Sequence, residues 1–148
     1  MFSCSHKKIL QTESIEDINR LYLEGDVDPY NGICIINFKN TNQAKEERTF
    51  AGGKLQGEAI SYYHNGTILR KGSYNKGEFD GKWEAWYENG SKKFEITYSA
   101  GMLTGQYQVW YQNGKIKEHG EYLNNKKIST WQYYDPNGQL IRETTYNN

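Results

Sequence analysis

Gly81-Lys82-Trp83-Glu84-Ala85-Trp86-Tyr87-Glu88-Asn89-Gly90 reads as a short strand that runs into a corner. Trp83, Ala85 and Tyr87 alternate with Lys82, Glu84 and Trp86, the two-residue period of a half-buried β-strand. Asn89-Gly90 then predicts a tight hairpin turn of type I′, in which both central residues take positive φ. The same pair returns at Asn65-Gly66, Asn113-Gly114 and Asn137-Gly138, each 24 residues from the last. A fixed period in the twenties marks a tandem repeat architecture.

Other positions keep the same beat. Gly57, Gly81 and Gly105 open three units, and Ser129 holds that place in the fourth. Five residues on comes a ring every time, at Tyr62, Trp86, Trp110 and Tyr134. Seventeen residues on comes another, at Tyr74, Tyr98, Tyr122 and Tyr146, followed by a second corner at Gly77, Gly101 and Asn125. After each Asn-Gly corner a second strand is expected, as in Lys92–Tyr98, with Phe94, Ile96 and Tyr98 on one face. A decayed earlier unit fits the register through Phe38, Phe50, Gly53 and Leu55, with Phe38 matched to Tyr62. End units of an array are commonly atypical, having one neighbour instead of two. The expected fold is all-β: an elongated, single-layer antiparallel sheet of tandem 24-residue β-hairpins, about ten strands in all. Its rings should form one ladder through Tyr74, Tyr98, Tyr122 and Tyr146 and another, on the opposite face, through Tyr62, Trp86, Trp110 and Tyr134.

The N-terminal stretch has a different pattern. Ser14 precedes Ile15, Ile18, Leu21 and Tyr22 at helical spacing, with Glu16 and Asp17 in the first turn. This predicts a short helix near 15–23 covering the first edge of the sheet, which would otherwise invite aggregation. The chain therefore divides into an arm, 1–31, and a repeat array, 32–148, with Gly32–Phe38 as the expected first strand.

Composition narrows the function. Lys+Arg and Asp+Glu balance at 18 each, so no broad field steers the chain onto nucleic acid or anionic membrane. A mean hydropathy of −0.95 is very polar, yet 15% of residues are aromatic, which excludes ordinary disorder. Cys4 and Cys34 are too few for a disulfide scaffold, and no run is long enough for a transmembrane helix. As it stands the sequence is read as cytoplasmic. Met1-Phe2-Ser3-Cys4-Ser5 also matches the tail of a bacterial lipoprotein cleavage site, in which case Cys4 bears the lipid and the protein is membrane-anchored.

Gly81–Gly90, Gly105–Gly114 and Trp131–Leu140 together resemble the MORN-repeat variant family. Within it the bacterial group labelled as YwqK-type antitoxin components of toxin–antitoxin systems is the most similar. The resemblance covers residues 32–148. It implies a hairpin-repeat sheet, no catalysis and no cofactor, and an antitoxin or immunity-type role in which the chain occludes a partner toxin. Ser129 in place of glycine, and Ile96 and Thr144 where other units carry Gly72 and Gly120, depart from the pattern.

No constellation in the sequence points to chemistry. His6, His64 and His119 are scattered without ligand spacing, and neither cysteine has a histidine near it in sequence. The glycines never open a helix after a strand, which removes a phosphate cradle. Glu78, Asp80 and Glu84 cluster in one unit, but Met102, Thr104 and Gln108 replace them in another. What remains is a stripe of rings on a polar face. Tyr62, Trp86, Trp110 and Tyr134 are the expected contact ridge for a protein partner, with Lys82, Glu84 and Lys93 setting selectivity. The alternative is an envelope-associated module in which the same rings stack on glycans or capture choline-like cations.

Overall fold

Alternating side chains and a corner every dozen residues can close only as a meander, and the chain folds as one. The computed structural model describes residues 8–10 and 29–147. The decayed first unit is β2 (Gly32–Asn37) and β3 (Ala44–Ala51), after the short strand β1 (Lys8–Leu10). The four regular units are β4 (Lys54–Tyr62) with β5 (Ile68–Asn75), β6 (Glu78–Trp86) with β7 (Lys92–Ser99), β8 (Met102–Trp110) with β9 (Ile116–Leu123), and β10 (Lys126–Tyr134) with β11 (Leu140–Tyr146). All belong to one sheet in chain order. Ten strands, β2 to β11, are antiparallel, as the period predicts.

The first edge differs from expectation. Gly32–Phe38 is not the outermost strand, because β1 lies beside β2 in parallel, with Ile9 opposite Ile35. The predicted helix near 15–23 and Cys4 lie outside the described residues. The loop before β2 is pinned to the first unit. Tyr30 donates its hydroxyl to the Ile33 carbonyl, accepts the Gly53 amide on its own carbonyl, and meets Phe50 edge-on at 5.9 Å.

The two kinds of corner exchange the roles that the sequence suggests for them. At the Asn-Gly corners only the glycines, Gly66, Gly90, Gly114 and Gly138, have positive φ, at 83–85°. Each corner is a three-residue loop. The Gly66 amide donates to the Tyr63 carbonyl at 3.0 Å and the Tyr63 amide to the Thr67 carbonyl at 2.8 Å, a type I turn closed by a glycine bulge. The asparagine acts through its side chain instead, Asn65 Oδ1 accepting the Thr67 amide at 2.9 Å. The type I′ geometry lies at the opposite corners. There Lys76-Gly77, Ala100-Gly101 and Asn124-Asn125 all have positive φ at both residues, as does Gly52-Gly53.

The decayed unit carries a register correction as well. The Phe38 amide donates to Gln43 and its carbonyl accepts from Thr41, so Phe38 holds the place of Tyr63, not of Tyr62. Ile36 opposite Glu46 matches Ser61 opposite Arg70. The loop after Phe38 is one residue longer than its counterparts, and this shifts the unit's first strand by one position.

Because the array is a single layer, its large side chains lie flat on their neighbours. Trp83 and Trp131 are almost fully buried, at 4% and 0% exposure. Each covers a glycine of the preceding strand. A Cβ on Gly72 would come 2.1 Å from Trp83, and one on Gly120 would come 2.4 Å from Trp131. Each indole also donates to the preceding strand, Trp83 Nε1 to the Ser73 carbonyl at 3.0 Å and Trp131 Nε1 to Glu121 at 3.1 Å. In the unit between, the smaller Tyr107 faces Ile96, which explains why that unit has no glycine there. The expected Tyr ladder is present as a column, but its members lie two strands apart and do not stack directly. Phe79 bridges Tyr74 and Tyr98, with centroids 5.0 Å from each. Farther along, Trp131 packs on Tyr107 and Tyr122 at 5.2 and 5.0 Å. At the N-terminal end Tyr30, Cys34, Ile36, Phe50 and Leu55 form a small cluster against Tyr74. Cys34 is a free thiol, and burial pushes its pKa up.

Gly72→Ala or Gly120→Ala should cost about 2–3 kcal/mol, read as a lower urea midpoint, because a rigid indole has nowhere to go. Trp83→Tyr added to Gly72→Ala should recover part of that loss, as the Tyr107–Ile96 pair does naturally. In the opposite direction, Ala100 and Ser129 hold φ of 47° and 57° without being glycine. Ala100→Gly and Ser129→Gly should each stabilise by about 1 kcal/mol and raise the thermal midpoint by a few degrees.

Candidate functional site

The face opposite Trp83 and Trp131 carries the predicted ridge. Tyr62, Trp86, Trp110 and Tyr134 end the four long strands, each just before an Asn-Gly corner. The register sets Ile68 opposite Tyr62, Lys92 opposite Trp86, Ile116 opposite Trp110 and Leu140 opposite Tyr134. Paired residues share a face, so rings and aliphatic chains form one band along the corner edge. Beside it runs a polar row, one residue per strand: Lys71, Glu84, Glu95, Gln108, His119, Gln132 and Glu143.

The rings are half-buried rather than free-standing. Each is met by a residue of the preceding unit. Burial raises the Tyr62 phenol pKa, and the hydroxyl's bond to Glu47, donated at 3.1 Å, raises it further. The Lys71 ammonium lies 5.9 Å from the Trp86 ring centre, and His119 stacks on Tyr134 at 5.9 Å. In the remaining unit Glu95 holds the equivalent place, and Lys92 covers Trp110 instead, at 5.5 Å. Glu47, Lys71, Glu95 and His119 repeat with the 24-residue period, fifteen residues before each ring. Register arithmetic could have found them; strand alternation within a single unit does not.

The charges close on themselves. Lys92 Nζ meets Glu84 at 2.8 Å and Glu95 at 2.6 Å, while Lys82 Nζ meets Glu95 at 2.7 Å and Glu84 at 3.6 Å. Of the residues expected to set selectivity, Lys82 and Glu84 are therefore in one network, joined by Lys92 and Glu95. Lys93 is elsewhere, 5.5 Å above the Tyr87 ring. The Lys92 hydrogen bond holds the Glu84 carboxyl below its ordinary value. For Glu95, burial pushes upward, but the bonds from Lys82 and Lys92 prevail and its pKa is lowered. The bonds to Glu84 and Glu95 raise the pKa of Lys92.

A second tyrosine column fixes the spacing of the band. Tyr63, Tyr87 and Tyr111 each donate the hydroxyl to the carbonyl of the next unit's ring residue, Trp86, Trp110 and Tyr134, at 3.0, 2.9 and 2.8 Å. The corner asparagines add to this coupling, with Asn113 Nδ2 donating to the Pro136 carbonyl at 2.9 Å. In the last unit Asp135 replaces the tyrosine, and its carboxylate accepts the Asn137 and Gln139 amides. A pocket of about 260 Å³ lies between the first two units, lined by Phe38, Lys45, Glu46, Ser61, His64 and Arg70 among others. Among the described residues no helix is long and apolar enough to cross a membrane.

A family profile described as "MORN repeat variant" matches residues 55–76, 79–100, 103–124 and 129–148. No curated protein matches the chain significantly. Among solved structures, that of a GtfA/B complex bound to UDP and GlcNAc aligns over 90% of this chain at 11% identity and a TM-score of 0.31. The alignment takes in 28% of that chain's length.

The charge network gives a definite pH signature. Its carboxylates have lowered pKa values, so their contribution is complete above the unfolded carboxylate range and is lost as pH falls through the folded values. The raised Lys92 pKa makes its contribution complete below the unfolded ammonium value, to be lost as pH rises through the folded one. Lys92→Met should cost about 0.5–1 kcal/mol at neutral pH. It should also flatten the acid limb of a plot of urea midpoint against pH.

Proposed function

The chain belongs to the MORN repeat variant family, and from that premise we propose that it is a non-enzymatic antitoxin- or immunity-type protein whose ring face covers the active surface of a toxin. MORN repeats are in general protein- or membrane-binding modules. The observation that supports the protein-binding reading is the continuous band from Tyr62 to Leu140, with a charged and polar row beside it. Large rings in an apolar strip with a polar flank are the make-up of an interface core and rim. Tyr–carbonyl bonds between units hold the rings at constant spacing, so the face is preorganised and little side-chain entropy is lost when a partner docks.

The same geometry weighs against capture of choline-like cations. Lys71 and Lys92 already take the cation position over Trp86 and Trp110, so an added quaternary ammonium would have to displace a tethered charge. Stacking of a sugar on the ring edges meets no such obstacle, and a glycan array distinguishes it from a protein partner.

Co-expression with the product of the neighbouring gene tests the proposal. The chain should form a stoichiometric complex with it and relieve its toxicity. Trp86→Ala and Trp110→Ala should each weaken that complex about 30-fold or more, the scale of a hot-spot ring, while circular dichroism stays native. Full affinity in the double variant would remove the ring face from the interface.

A further inference from the structure

Asn-Gly is the dipeptide most open to spontaneous deamidation, because the glycine nitrogen carries no neighbouring side chain to block its approach. That nitrogen loses its proton and bonds to the asparagine Cγ, the Cγ–Nδ2 bond breaks, and ammonia leaves. Water then opens the five-membered succinimide at either carbonyl, giving aspartate or isoaspartate. The step requires the asparagine side chain to rotate onto the following amide. This chain has five Asn-Gly pairs, at Asn31, Asn65, Asn89, Asn113 and Asn137.

Four of the five side chains are tied at both ends. Asn31 accepts the Gly52 amide at 2.8 Å and donates to the Pro29 carbonyl at 3.0 Å. Asn65 accepts the Thr67 amide and hydroxyl at 2.9 and 2.6 Å and donates to the Glu88 carbonyl at 3.3 Å. Asn89 accepts from Ser91 at 3.1 and 2.7 Å and donates to Gln112 at 3.5 Å. Asn113 accepts the Lys115 amide at 3.1 Å and donates to Pro136 at 2.9 Å. The fifth differs on both counts. Asp135 takes the Gln139 amide that Asn137 would otherwise accept, and among the described residues the Asn137 Nδ2 has no acceptor. The attacking nitrogen is equally placed in all four repeat corners, its proton donated to a carbonyl at 2.9–3.0 Å. The difference therefore resides in the side chain.

We propose that Asn137 is the modification site of this protein, converting to aspartate and isoaspartate while the other four asparagines are protected by the fold. The new carboxylate would arise beside Lys115, whose Nζ already sits 2.6 Å from the Asn137 carbonyl oxygen. It would also stand at the Tyr134–Leu140 end of the ring band, changing the charge of that end without altering the rest.

Timed incubation of the native protein at mildly alkaline pH, followed by peptide mass mapping, tests this. Asn137 should convert about tenfold faster or more than Asn31, Asn65, Asn89 and Asn113, the ratio expected from freeing one hydrogen-bonded group. In concentrated urea the sites should converge, because the protection belongs to the fold. Side-chain amide exchange by NMR gives a second reading, with the Asn137 protons exchanging fastest. Equal native rates, or a preference that persists in urea, would overturn the assignment.

Discussion

A single-layer sheet has no second layer to bury its rings, so the structure depends on a ring in one strand lying over a missing side chain in the strand before. Trp83 on Gly72 and Trp131 on Gly120 meet that constraint, with each indole nitrogen bonded to the strand it covers. Such contacts reach only to the adjacent unit, which makes the array a chain of nearest-neighbour couplings. A smaller covering ring goes with a larger covered residue. Where the covering ring is Tyr107 the covered residue is Ile96, and where it is tryptophan the covered residue is glycine.

Hydrogen bonds follow the same logic on the corner edge. Tyr63, Tyr87 and Tyr111 reach forward to the next unit's carbonyl, and the series stops at Asp135, which turns inward to close its own corner. The final unit departs on the ring-packed face as well. Lys127 lies 3.8 Å over the Trp131 ring and 3.0 Å from the Tyr133 hydroxyl, and Arg142 lies 3.9 Å over the Tyr133 ring. Lys127 there takes the place over the indole that Phe79 fills beside Trp83, and the cations lower the Tyr133 pKa against the effect of burial. The ring band on the other face is thus held from both sides, by packing below and by forward hydrogen bonds along its edge.

The period, the strands and their two faces were legible from Gly81–Gly90 and its copies, because alternation and turn residues are local signals. The face opposite Trp83 was legible too, with Trp86 and Trp110 where alternation puts them. The turn type was not. Asn-Gly fits a type I′ turn and equally a type I turn closed by a glycine bulge, and the choice falls to the Asn65 side chain, which bonds two residues ahead. The true type I′ corners share no dipeptide, since Lys76-Gly77, Ala100-Gly101 and Asn124-Asn125 have only their backbone in common. Phe38 was misplaced by one position because a single inserted loop residue leaves the ring spacing nearly unchanged. The partners Lys71, Lys92, Glu95 and His119 were missed because they act across units, where a pattern read within one strand is blind.

The forward reach of Tyr63, Tyr87 and Tyr111 gives the array a direction. Each of the first three regular units offers a hydroxyl to its successor and each of the last three receives one, so these units are joined head to tail, like monomers in a polymer, and cannot be reversed. An excised period that contains Tyr87 or Tyr111 therefore carries one donor and one acceptor for this bond. Duplicating such a segment would lengthen the array by two strands, about 10 Å, with the forward bond made again at the new joint. Genes built this way can adjust the span of their product in uniform steps while the internal chemistry stays the same.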